Sequence, residues 1–158
     1  MVSLNTGYVK SVQGILKILE IITICAAYSC LADFDRDIVV IGGKYEGRYD
    51  FFMAVFVIGW AVVLFVFFVF LLTLEGKLTT EKNWNIMLLV FSALFALLFI
   101  ISSSLMADFL DDLYDARWHK VSWLKRRTNV LTVSVFFGFV SAALLLVDTV
   151  LVFMKVKG

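Results

Sequence analysis

The 158-residue chain has no proline, one histidine and two cysteines. Without proline none of its apolar runs carries a proline kink, and broken, transporter-style helices get little support. Cys25 and Cys30 supply neither a disulfide framework nor a zinc spacing. Five positions apart on one helix, they diverge by about 140° and by about 7.5 Å along the axis. That geometry cannot be bridged comfortably, so both read as small apolar fillers; palmitoylation of Cys30 is the lesser alternative. The net charge of +1 gives nucleic acid nothing to bind. No nucleophile–base set and no metal-ligand cluster falls within the apolar runs, so neither an enzyme nor a cofactor is expected. Charge is scarce as well: 17% of residues are charged and 62% hydrophobic, outside the range of soluble domains.

The charges that exist are sparse in four long stretches. The clearest is 85–107, NIMLLVFSALFALLFIISSSLMA, with no charge over 23 residues. As a helix it covers about 34 Å, enough for the roughly 30 Å hydrocarbon core of a bilayer. Trp84 and Asp108 bound it, an interfacial aromatic and a charge. Read with it, the runs 13–32, 51–74 and 130–154 predict an all-α membrane protein, an antiparallel bundle of four transmembrane helices in one domain. The short link 75–84 makes spans two and three antiparallel neighbours. The first loop, 33–50, is acidic, and Ile38, Val39, Val40 and Ile41 before Gly42 and Gly43 suggest a short strand and turn. Residues 1–12 are short and polar, and no cleavable signal is expected there. The triplet Cys30-Leu31-Ala32 imitates a cleavage site, but its leader would run to about 32 residues and carry Glu20.

Within that frame a few polar residues need an account. Lys17 and Glu20 stand three apart on one helical face near the start of span one, where Lys17 can snorkel to the headgroups. Asp148 is the acid well inside span four. In an antiparallel bundle Lys17 and Asp148 share a side and a depth of about 9 Å, so a Lys17–Asp148 pair is expected to lock spans one and four. Ser134, Gly138 and Ala142 form a small-xxx-small ridge for helix packing. Ser92, Ala93, Ala96 and the serines 102–104 are packing positions, or in a second reading the lining of a path. In the third loop Asp108, Asp111, Asp112 and Asp115 fall at i, i+3, i+4 and i+7, with Leu110, Leu113, Tyr114, Trp118 and Val121 opposite. Span three is therefore expected to continue past the bilayer as an amphipathic helix, its Asp stripe with Trp118 and Trp123 forming an exoplasmic contact surface. A divalent-cation site there, with or without His119, fits less well, because a straight helical stripe does not wrap an ion. Lipid-facing Phe and Val are expected to surround an interior with almost no polar groups.

The plan resembles the MARVEL domain of the MAL, plasmolipin, chemokine-like-factor and synaptophysin group. The likeness is carried by Val12-Gln13-Gly14-Ile15-Leu16-Lys17-Ile18-Leu19-Glu20 entering span one, by the short second loop, and by Trp84 leading into a Ser/Ala-bearing span three. Ser141-Ala142-Ala143-Leu144-Leu145-Leu146-Val147-Asp148 in span four adds to it. It covers about 12–154 and makes the chain, 1–158, one MARVEL-like domain. Lys10, Lys17, Lys77, Lys82, Lys155 and Lys157 place six basic residues on the side of the termini against eight on the other, a slight lean toward termini outside. The resemblance implies the opposite, cytoplasmic termini, and is followed here. It also implies a non-catalytic protein of the plasma membrane, Golgi or vesicles, working in trafficking, membrane apposition or fusion, or junction assembly. Its partners would be the lipid bilayer and other membrane proteins, further copies of itself included. The alternative is a small transporter, channel or channel-accessory subunit using Lys17, Glu20 and Asp148.

Overall fold

The computed structural model describes residues 5–34, 45–74, 80–115 and 122–157. Nearly all of these are helical: α1 Thr6–Val9, α2 Val12–Ala32, α3 Glu46–Leu71, α4 Glu81–Asp115 and α5 Ser122–Lys157, with no strand among the described residues. The strand expected at 38–41, its Gly42–Gly43 turn, His119 and Trp118 lie outside the described residues. Four stretches are long and apolar enough to cross a membrane: Val12–Ala32, Glu46–Leu71, Lys82–Tyr114 and Thr128–Lys157.

Local chemistry sets the helix ends. Ser11 caps α2, its Oγ accepting from Gly14 N–H at 3.1 Å and donating to Tyr8 O at 2.6 Å. A side chain at Gly14 would run into the Tyr8 carbonyl, so the tight joint between α1 and α2 needs glycine there. Helix α3 starts earlier than the apolar run, with Glu46 in its first turn where the helix dipole favours an acid. It ends in a Schellman arrangement: Leu74 N–H donates to Val69 O at 2.9 Å and Thr73 N–H to Phe70 O at 3.3 Å. Thr73 takes the left-handed position usually given to glycine, with φ 51°. Helix α4 extends to Asp115, about eight residues beyond the apolar run, as the Asp stripe requires.

The registers make the bundle antiparallel at every seam. Between α2 and α5, Gln13 meets Lys155 and Ala27 meets Ser134. Between α4 and α5, Ser92 meets Thr149 and Tyr114 meets Thr132. Between α3 and α4, Phe56 stacks on Phe99 and Phe70 meets Trp84; between α2 and α3, Tyr28 meets Trp60. Each long helix therefore packs on two neighbours in a closed ring, α2–α3–α4–α5–α2.

The core is aromatic at its centre. Phe52, Phe56 and Phe99 form a continuous stack with centroids 4.1 Å apart at both steps. Gly59 leaves room for the Phe99 ring. At the far end Tyr45, Phe34 and Phe109 pack together, with the Arg48 guanidinium 5.0 Å from the Tyr45 ring centre and paired with Asp108. Phe109 thus anchors the α4 extension, together with Leu113, while Asp108, Asp111, Asp112 and Tyr114 are exposed.

The surface reverses the pattern of a soluble protein. Phe65, Phe68, Phe136 and Phe153 are each half or more exposed, and Ile58, Val90, Leu97 and Val150 stand out beside them. That surface suits lipid, which solvates Phe and Ile as well as another helix does. The interior departs from the expected near-absence of polar groups. Lys17, Glu20, Thr23, Ser92, Ser102, Ser103, Thr128, Ser134, Ser141 and Asp148 are all buried. The reason is that hydrocarbon offers polar atoms no partners, so helices turn them inward to meet each other.

Close approach of α4 and α5 depends on Gly138, where an added side chain would collide with Ser103 Oγ and press on Phe56. Gly138→Val is expected to cost about 1–3 kcal/mol through overpacking, read as a lower thermal midpoint in detergent. An unchanged midpoint would mean that the two helices are not in contact there.

Candidate functional site

Helix α2 buries one face along its length: Gly14, Lys17, Glu20, Ile24, Ala27 and Leu31, at spacings of three and four. Two of those positions are charged. Lys17 is 6% exposed, Glu20 0% and Asp148, facing them from α5, 2%. Lys17 Nζ donates to Glu20 Oε2 at 2.8 Å and to Asp148 Oδ2 at 2.7 Å. The lysine therefore turns inward, not out to the headgroups as snorkelling would require.

Lys17 and Asp148 are the two residues that depth matching brings together on paper, and here they are in contact. Glu20 is the third member, which depth matching alone does not identify. Its signal is the i, i+3 spacing from Lys17, which puts both on the face that turns inward. Lys17 and Asp148 sit among apolar neighbours: Val62, Val63 and Val66 of α3, and Leu88, Phe91 and Phe95 of α4. The cavity they share with Lys17, Ser92 and Asp148 is about 20 Å³. That is room for about one water and for no larger solute. Immediately after Asp148 in the chain, Thr149 Oγ1 donates to Ser92 Oγ at 3.1 Å and ties α5 to α4.

The small-residue ridge serves two seams. Ser134 Oγ donates to Ala27 O of α2 at 2.6 Å, whereas Gly138 faces Ser103 of α4, and Ala142 is buried at 2%. In the serine run Ser102 donates to Phe99 O and Ser104 to Ile100 O, bonds within their own helix. Asp108, Asp111 and Asp112 line the exposed face of the α4 extension. Asp115 and Trp123 fall on helical backbone, their side chains outside the described set, and Trp118 lies outside the described residues. Both cysteines are free, Cys25 Sγ lying 3.6 Å from the Tyr28 hydroxyl. Among the described residues no three His, Cys, Asp or Glu side chains converge to hold a metal ion.

Removing the lysine strands two buried carboxyl groups, and loss of one partner of a buried pair costs about 3–5 kcal/mol. Lys17→Met is expected to fall in that range. Asp148→Asn should cost less, because Glu20 still neutralises Lys17. In a double-mutant cycle of Lys17→Met with Asp148→Asn, scored by thermal unfolding in detergent, the two changes should couple by at least about 1 kcal/mol. Strict additivity would rule out an energetic pair.

The family model described as MARVEL, "Membrane-associating domain", matches residues 8–151. The matched stretch holds all three triad members, the small-residue ridge and most of the four long helices. Nothing matches among curated proteins or among solved structures. With nine-tenths of its length inside that match and four helices able to cross a membrane, the chain belongs to the MARVEL family of membrane-associating domains.

Proposed function

We propose that the protein organises membrane without catalysis, in vesicle trafficking, membrane apposition or fusion, or cell-junction assembly. The observation that carries this reading is the distribution of polarity. Among the described residues, the charged side chains well inside the spans, Lys17, Glu20 and Asp148, are turned inward onto one another, and the outward faces carry Phe, Ile, Leu and Val. Such a body interacts laterally, with lipid and with the apolar flanks of other membrane proteins, further copies included. The Asp-bearing extension of α4 adds a polar surface beyond the bilayer, on the side opposite the termini. Asp108, Asp111 and Asp112 would meet a partner there, with Asp115, Trp118 and Trp123 as further members of that surface. We place the termini in the cytoplasm and the protein at the plasma membrane, Golgi or vesicles, in line with the family resemblance.

A transporter or channel role is the second reading, favoured by the burial of three ionisable side chains on one level of the bundle. A cavity of about 20 Å³ beside them supports it poorly. Under that reading Asp148→Asn would abolish conduction in a reconstituted bilayer; under the reading preferred here there is no conductance to lose.

Membrane fractionation at low expression tests the proposal. The protein should concentrate with one class of vesicle or with junctional membrane; an even spread over all membranes contradicts it. Asp111→Lys should leave the thermal midpoint nearly unchanged, since exposed substitutions stay within about 0.5 kcal/mol, yet should disperse that enrichment. Retention of the enrichment would remove the α4 extension as a contact surface.

A further inference from the structure

We propose that the buried triad is a proton-binding site, holding one proton beyond the three on the Lys17 ammonium and carrying it on Glu20. The argument is one of charge and of partners. One ammonium and two carboxylates sum to a charge of −1. Among the described residues, the groups that face Lys17 and Asp148 from the other helices do not cancel it, and the charged groups beside Glu20 are Lys17 and Asp148 themselves. Helix α3 brings Val62, Val63 and Val66, helix α4 brings Leu88, Phe91, Ser92 and Phe95, and helix α5 adds Leu145 and Thr149 to Asp148. None of these other neighbours is titratable or charged. A net charge in so apolar and buried a setting is costly, and a buried carboxyl group in such surroundings is neutralised instead.

The hydrogen bonds say where the proton rests. Lys17 serves one oxygen of each carboxyl group, Glu20 Oε2 and Asp148 Oδ2. Glu20 Oε1 is fully buried and receives no hydrogen bond. An anionic oxygen there has no donor among the described protein groups to stabilise it. Protonation forms an O–H bond at Glu20 Oε1 at the expense of a hydronium ion from bulk water. No bond of the protein breaks, and the triad charge goes from −1 to 0. Asp148 borders the cavity near Ser92 and is the other partner of Lys17.

The site depends on both acids. With Asp148 made neutral, Lys17 and Glu20 balance each other and Glu20 releases its proton. With Glu20 made neutral, Lys17 and Asp148 balance and no extra proton is needed. One carboxyl group too many is therefore what creates the site, and either acid-to-amide substitution abolishes it.

Infrared spectroscopy of the full chain at pH 7, in a detergent free of carbonyl groups, tests this directly. The expected result is the carbonyl stretch of a neutral carboxylic acid, shifted when the glutamate carboxyl carbons are isotopically labelled and unmoved when those of aspartate are. Labelling needs no substitution, so the result stands even if variants fold poorly. In Glu20→Gln and in Asp148→Asn the band should vanish while helix content is retained. Absence of the band from the unsubstituted protein, a shift on aspartate labelling, or survival of the band in folded Asp148→Asn would each overturn the proposal.

Discussion

A charge placed in hydrocarbon has to find its partner inside the protein, and most of this structure follows from that requirement. Lys17 lies near the start of the first long helix and Asp148 near the end of the last, yet they meet at 2.7 Å. For that contact to form, α2 and α5 must be adjacent and antiparallel, and the ring of four helices must close. Once it closes, the remaining polar side chains have an interior to face. Ser134 reaches the Ala27 carbonyl and Thr149 reaches Ser92. The apolar residues that would form the core of a soluble protein are released to the outside.

Lipid gives helices little hydrophobic reason to associate, so shape and polar contact have to hold the bundle. The four seams use different means. The seam of α2 with α5 relies on charge and on Ser134. The α4–α5 seam relies on the bare backbone at Gly138 against Ser103. The α3–α4 seam relies on stacked rings, with Gly59 admitting Phe99. The α2–α3 seam relies on edge contacts such as Tyr28 against Trp60. At the far end Arg48 and Asp108 join the start of α3 to the α4 extension, outside the apolar runs, where a solvated pair contributes little energy but sets orientation.

The fold was largely legible in the sequence because the signal is one of length. Predominantly apolar runs of about 20 residues or more have few alternatives to membrane helices. The α4 extension was legible because four Asp residues share one helical stripe. Asp148 stood out as a lone acid in an apolar run. What the sequence concealed depends on which face turns inward. Serines and threonines are neutral in such runs, so their collective burial is invisible until neighbours are placed. Lys17 had two plausible destinations, the headgroups and the bundle interior, and only the position of Asp148 relative to Glu20 decides between them. Phe109 looked like one more apolar residue beside the Asp stripe; its role comes from Tyr45 and Phe34, more than 60 positions away in sequence.

Side-specific labelling of single cysteines at Gly43, Gly76, Ser122 and Gly158, in a background lacking Cys25 and Cys30, tests the arrangement on which the triad rests. The expected result is that Gly76 and Gly158 react from the cytoplasmic face, and Gly43 and Ser122 from the other. Reversal of both pairs together would keep the bundle and overturn the orientation. Gly76 and Gly158 reacting from opposite faces would contradict the account at its centre, because Lys17 and Asp148 could then not lie at the same end of the bundle.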